Sequence, residues 1–207
     1  MKNIDKKKLR QSIGIKMAKK VIEGEKLSEA LEGILSKKDE VRSKSFKFLM
    51  HVSEEQPKVL YPKWDYLADF LDSDNHYQRY ISINLLANLA VVDTENKFEK
   101  IFDKYFSNID GNRTMVAGQA ALNSGKIAKA KPGLQTKITH RLLNIEKTHK
   151  GKQIDLIKAY VIEAFNKYFE ESSDKNKILD FVDAQLESKS PKTRKLAKEF
   201  LKQKNIQ

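Results

Sequence analysis

Apolar residues recur along this chain at the three- and four-residue spacing of amphipathic helices, and the helices come in pairs. Leu27, Ala30, Leu31, Ile34 and Leu35 mark one face of a first helix. Lys37, Lys38 and Asp39 make a turn, and a second helix is predicted to about Glu54. The alternation then repeats. Trp64, Leu67, Ala68 and Leu71 precede a turn at Asp72 to Asn75 and a helix from Tyr77 to Val92. The aromatic stretch Phe98 to Phe106 precedes TMVAGQAALNSGKIA, and Leu134, Ile138, Leu142 and Ile145 precede a helix carrying Ile154, Ile157, Val161, Ala164, Phe165 and Tyr168. A last pair has Ile178, Phe181, Val182 and Leu186, then Leu196, Ala197, Phe200 and Leu201, with Ser190 and Pro191 as cap and first turn. Pro57 and Pro62 are expected to force an extended segment. Ahead of all these, Leu9, Ile13, Met17 and Val21 stripe a basic amphipathic helix within residues 1–25, expected to cap the end of the paired helices.

The second helices of the pairs repeat one another. Leu49 is answered by Leu86, Leu122, Phe165 and Leu201, at spacings of 37, 36, 43 and 36 residues. Four residues earlier stand Ser45, Ser82, Gly118, Val161 and Ala197, so a small or short residue shares a helix face with a large apolar one each time. The large residues are expected in one continuous core. An arginine sits three residues before the small position at Arg42, Arg79 and Arg194, and Asp39, Asp74 and Asp110 open the turn before the first three of these second helices. The stretch DEVRSKSFKFL, Asp39 to Leu49, resembles the second helix of a HEAT repeat, with its turn aspartate, Val-Arg and small residue. Met115 and Lys158 replace the arginine elsewhere. The resemblance covers the chain from about Lys26. It implies an all-α, right-handed α-solenoid of about five HEAT-like helix pairs over 26–207, within the armadillo/HEAT-like superfamily, and it specifies a fold better than an activity.

Composition changes this picture little. The chain has 207 residues and no cysteine, which removes disulfides, thiol catalysis and Cys-based zinc sites, and points to the reducing cytoplasm. No apolar run approaches the ~18 residues of a membrane span. The start, MKNIDKKKLRQSIG, has no apolar signal core, so export is not expected. The net charge of +12 sits at the ends: residues 1–26 hold nine bases against three acids and 189–207 seven against one, while 27–188 hold 24 of each. Basic ends suit phosphates or acidic protein, and equally keep the exposed end helices of a solenoid in solution. The basic helix near the start also has the two faces of a membrane-surface or calmodulin-target helix, though its stripe is narrow and lacks aromatics.

Candidate chemistry is sparse. Ser124 to Lys126 reads SGK, but Ala120 and Ile127 stand where a phosphate-binding loop needs glycine and Ser or Thr. His51, His76, His140 and His149 fall on separate elements, without metal-ligand spacing. Carboxylate pairs such as Asp69 with Asp72 share helical faces as solvated helices commonly do. HEAT-like folds include DNA glycosylases, whose groove needs aromatics and a carboxylate; here the single tryptophan, Trp64, occupies a core position. Helical spacing assigns Phe98, Phe102, Tyr105 and Phe106 to core packing. No catalytic residue, metal or cofactor is assigned.

Two surfaces remain. The turns into the second helices gather a basic edge of Lys37, Lys38, Arg42, His76, Arg79, Arg113, Lys147, Lys150, Lys152, Lys189, Lys192 and Arg194, beside helix N-termini. Opposite turns are acidic, with Glu54, Asp93 and Glu170 among them, interrupted by Lys126, Lys129 and Lys131. The second helices also project a face carrying Lys47, His51, Asn84, Asn88, Ser124 and Lys167, expected to line a concave side. Its weak charge suits a protein partner better than a run of phosphates. The sequence therefore reads as a non-catalytic binding or scaffold protein. A nucleic-acid-binding protein and, behind it, a HEAT-like glycosylase are the alternatives.

Overall fold

A computed structural model describes residues 24–204; the predicted capping helix over 1–25 lies almost wholly outside the described residues. All regular structure among the described residues is helical. The chain divides into two compact units at the His51–Val52 boundary.

The first unit holds the helical residues 24–33 (α1) and most of α2 (Asp39–Glu55). Leu27, Ala30, Leu31 and Ile34 are buried as the periodicity predicts, whereas Leu35 is 48% exposed. The two helices meet at small residues, since a Cβ on Gly33 would run into the Ser45 side chain. Leu49 is fully buried. Asp39 and Glu40 place negative charge at the N-terminus of α2, where the helix dipole favours it.

The second unit opens with two short helices, α3 (Pro57–Leu60) and α4 (Trp64–Asp69), joined by a 3₁₀ turn containing Pro62. The expected extended segment is therefore helical. Proline at the first positions of a helix supplies the right φ and lacks only an N–H that would be unpaired anyway. Next come α5 (His76–Leu89), α6 (Lys97–Lys100), α7 (Phe102–Asp110) and α8 (Thr114–Ala130). The chain continues with α9 (Gln135–Leu143), α10 (Ile145–Thr148), α11 (Ile154–Asn166), α12 (Lys175–Ala184) and α13 (Pro191–Gln203). Asn75 caps α5 by accepting from the Tyr77 N–H at 2.9 Å, and Ser190 caps α13 by accepting from the Thr193 N–H at 3.3 Å.

The long helices pack in chain order, α5 on α8, α8 on α11 and α11 on α13. The shorter ones pack beside them, α4 on α5, α7 on α8 and α12 on α13. Phe98, Phe102, Tyr105 and Phe106 lie in the core, with Phe102 and Phe106 stacked at 4.4 Å between ring centres. Leu86 and Phe165 are fully buried, but Leu122 and Leu201 are only half-buried, and Ala120, Ala121 and Phe200 take the inward positions beside them.

A buried ionic cluster fixes the chain between α5 and α6 and just past α8. Asp93 accepts from the Lys97 and Phe98 backbone N–H groups, both at 2.9 Å, and from the Tyr61 hydroxyl at 2.7 Å. Lys131 reaches Asp93 at 2.9 Å and Glu99 at 3.1 Å. Burial by itself raises the Asp93 pKa, but the bonds from Phe98, Lys131, Tyr61 and Lys97 outweigh it and hold the carboxyl below its usual range.

Candidate functional site

The C-terminal turns of α2, α5, α8 and α11 line one open groove of about 800 Å³ in the second unit. Ser53 and Glu54 come from α2, Ala87 and Asn88 from α5, Lys126, Lys129 and Ala130 from α8, and Asn166 and Lys167 from the end of α11. Val91, just past α5, contributes an apolar side chain that is 66% exposed. The volume falls within the ~300 to 1,000 Å³ of ordinary ligand clefts.

One wall is a polar ladder. Asn88 donates to Ser53 Oγ at 2.9 Å, and its Oδ1 accepts from Lys126 Nζ at 2.7 Å. One turn back on α5, Asn84 Oδ1 accepts from Gln119 at 2.8 Å and Asn123 at 3.1 Å, while its amide donates to the Tyr80 carbonyl at 2.7 Å. These bonds tie α5 to α8 and fix Lys126, whose ammonium also lies 4.0 Å from Glu54.

The opposite wall depends on Gly125. A Cβ there would stand 2.5 Å from the Ala164 carbonyl oxygen and 3.0 Å from Lys167 Cδ, so the missing side chain lets α11 approach and the Lys167 stem lie across α8. The Lys167 ammonium makes no hydrogen bond or ion pair among the described residues. Burial first, and the neighbouring Lys126 second, push its pKa down, against a smaller opposing effect from Glu163. Three lysines thus face one carboxylate, Glu54, over a floor of Ala87, Val91 and Ala130. Such a set can hold an anion beside an apolar group.

The basic edge comes out differently. Arg42 donates to the Ser36 carbonyl at 2.9 Å and pairs with Asp39. Arg194 donates to the Ser188 carbonyl at 2.6 Å and to Lys189 O at 3.2 Å. Both guanidinium groups fold back onto the turn six residues earlier and satisfy carbonyls there. Lys158, at the equivalent position on α11, is buried between Glu146 and Asp155. Lys192 pairs with Glu163 at 3.0 Å and lies over the Tyr160 ring at 3.9 Å. Arg79 is half-buried. Lys37 and Lys38, in the first unit, are exposed, as are His76, Arg113, Lys147, Lys150, Lys152 and Lys189 in the second. The turn carrying Lys150 and Lys152 docks on the end of α7, where Lys150 N donates to Asp110 O at 2.9 Å and His149 Nδ1 is 2.7 Å from the Ile109 carbonyl oxygen. That contact sets Lys150 and Lys152 beside the turn that leads to Arg113.

The predicted concave face is also redistributed. Lys47 and His51 are exposed in the first unit. Asn84, Asn88 and Ser124 are buried, with the Ser124 hydroxyl donating to Ala120 O at 2.8 Å, so they form wall rather than open surface. Only Asn88 and Lys167 of that set reach the groove. Lys126 and Lys129, which complete it, have one visible sign in the sequence: they break a run of otherwise acidic turns. Among the described residues no cluster of three or more His, Asp or Glu could hold a metal ion, and no helix is long and apolar enough to cross a membrane.

Comparison with protein-family models, with curated proteins and with solved structures finds no match to this chain.

Proposed function

We propose that the protein is a non-catalytic binding module, a HEAT-like α-solenoid acting in the cytoplasm and presenting the helix-end groove to a protein partner. The chain-order packing of α5, α8, α11 and α13 supports the solenoid reading, as does the shared back-folding of Arg42 and Arg194. The observation that carries the binding role is the groove itself, where Lys167 is held against an open surface without an ion pair among the described residues. A protein stabilised only by its own contacts gains nothing from such an ammonium.

The nucleic-acid reading loses part of its basic edge, because Arg42, Arg194 and Lys192 are engaged within the protein, while Lys37, Lys38, Arg113, Lys147, Lys150, Lys152 and Lys189 stay exposed. The glycosylase reading loses support because Trp64 and the aromatics of α6 and α7 are core residues. Affinity capture from source-cell extract, with and without nuclease, tests the proposal. A protein partner retained after nuclease is expected, and recovery abolished by nuclease would transfer the function to nucleic acid.

A further inference from the structure

We infer that the groove binds an acidic peptide segment of a partner protein, its carboxylate or phosphate group among Lys126, Lys129 and Lys167 and an adjacent apolar side chain on Ala87, Val91 and Ala130. This rests on the reading of the protein as a binding module. The charge argument is direct. Three ammonium groups line the groove against the single carboxylate of Glu54, which lies 4.0 Å from Lys126. Glu163, the acid one helical turn before Lys167, redresses the balance only in part, because it is shared with Lys192 at 3.0 Å.

Lys126 is pre-positioned by Asn88, and the Lys167 stem is braced on Gly125, so an anion meets donors whose placement is already fixed. The apolar part argues for a peptide. Val91 is 66% exposed beside the lysines, and a small free anion would leave it uncovered. A nucleic-acid strand would bring successive phosphates past Glu54 and gain little from the apolar floor.

The test uses the full chain and a positional-scanning library of short peptides, each pool having one position fixed. Pools fixed as Asp, Glu or phosphoserine, with an apolar residue alongside, should bind at least about tenfold better than pools fixed as Gln or Lys. The carboxylate and phosphoserine pools tell the two anion sources apart. Lys129→Glu with Lys167→Glu should abolish that preference, the single exposed change Lys129→Glu should weaken it with the melting temperature unchanged, and Lys150→Glu with Lys152→Glu should leave it intact. Indifference to acidic residues, a preference that survives the Lys129 and Lys167 changes, or displacement of bound peptide by a short single-stranded DNA would overturn the inference. A captured protein partner that the double variant still holds removes the groove while leaving the binding-module reading standing. Acid-selective peptide binding with no nuclease-resistant partner does the reverse.

Discussion

Gly125 is where the α8–α11 contact is most exposed to a single-atom test. Replacing it by alanine adds one methyl group, which on helix propensity alone should stabilise α8 by roughly 0.8 to 1 kcal/mol. The structure predicts the opposite sign. The new Cβ would stand 2.5 Å from Ala164 O and 2.8 Å from Ala164 Cα, both backbone atoms of a facing helix. Neither can swing away, so α11 must shift, and with backbone struck the overpacking cost falls in the upper part of its usual range, about 2 to 3 kcal/mol. Less the propensity gain of about 1 kcal/mol, a net loss of about 1 to 2 kcal/mol follows, or a fall of about 2 to 8 °C in melting temperature for a unit of this size. Two other glycines serve as controls. A Cβ on Gly118 meets the Tyr160 ring at 2.8 Å, a side chain that can yield, and one on Gly133 meets nothing within 4 Å. Thermal unfolding of the three alanine variants should therefore rank Gly125 as most damaging, Gly118 between, and Gly133 within about 0.5 kcal/mol of the parent. A Gly125→Ala protein as stable as the parent or more so would refute the close approach on which the Lys167 wall depends.

Asp93 makes stability depend on pH in a known direction: its folded pKa is depressed, so its contribution is fully present above the ordinary value near 3.8 and is lost as pH falls through the lower folded value. Urea unfolding at a series of pH values should show the stability gap between the parent and Asp93→Asn closing below about pH 4, and a gap that stays constant would contradict the assignment. Arg194→Ala removes charged hydrogen bonds to Ser188 and Lys189 carbonyls and should cost about 1 to 3 kcal/mol, whereas Lys150→Ala with Lys152→Ala should change stability by less than about 0.5 kcal/mol; melting curves of both decide it.

Much of the helix order was legible in the sequence because each first helix has one apolar stripe and each turn has its own punctuation, as at Asp72 to Asn75 and Ser190 to Pro191. What could not be read was the rotational setting of the long helices. A four-residue spacing identifies a buried face when the helix has one neighbour. α5 packs against α3, α4 and α8, and every residue from Ile81 to Ala90 is buried. Its asparagines are therefore inside, which sequence polarity contradicts and which partners such as Gln119, Asn123, Ser53 and Lys126 make tolerable. α8 has neighbours on three sides, α5, α7 and α11, and fills the space with alanine and glycine, so Leu122 is left at the margin. The groove was illegible for the same reason. Its lysines belong to helix ends that meet only when the rotation of α8 is known, and its polar wall is made of residues that looked solvated.

The two ends of the long helices differ in a way that bears on function. At their N-terminal ends, one sequence position does a repeated structural task with changing chemistry: Arg42 and Arg194 bind carbonyls of the preceding turn, and Lys158 does the equivalent with the carboxylates of Glu146 and Asp155. The guanidinium fork reaches two acceptors of the turn at once, the Ser36 carbonyl and Asp39 for Arg42 and the Ser188 and Lys189 carbonyls for Arg194, while the compact ammonium of Lys158 sits between two carboxylates. The substitution at Lys158 is thus matched to its partner, and the position is explained without a ligand. At the C-terminal ends the matching is incomplete: Lys131 meets Asp93 and Glu99, Lys126 meets Asn88 and Glu54, and Lys204 meets Glu170, but Lys167 has no such partner among the described residues. Lysines there would complement helix dipoles to the extent of about 0.3 to 1 kcal/mol each when exposed, and up to about 2 kcal/mol when partly buried. Lys167 lies across a neighbouring helix, half-buried beside Lys126, where desolvation and like-charge repulsion both oppose it. Helix-dipole attraction works against those two penalties, and on the proposed reading an incoming anion would offset them further.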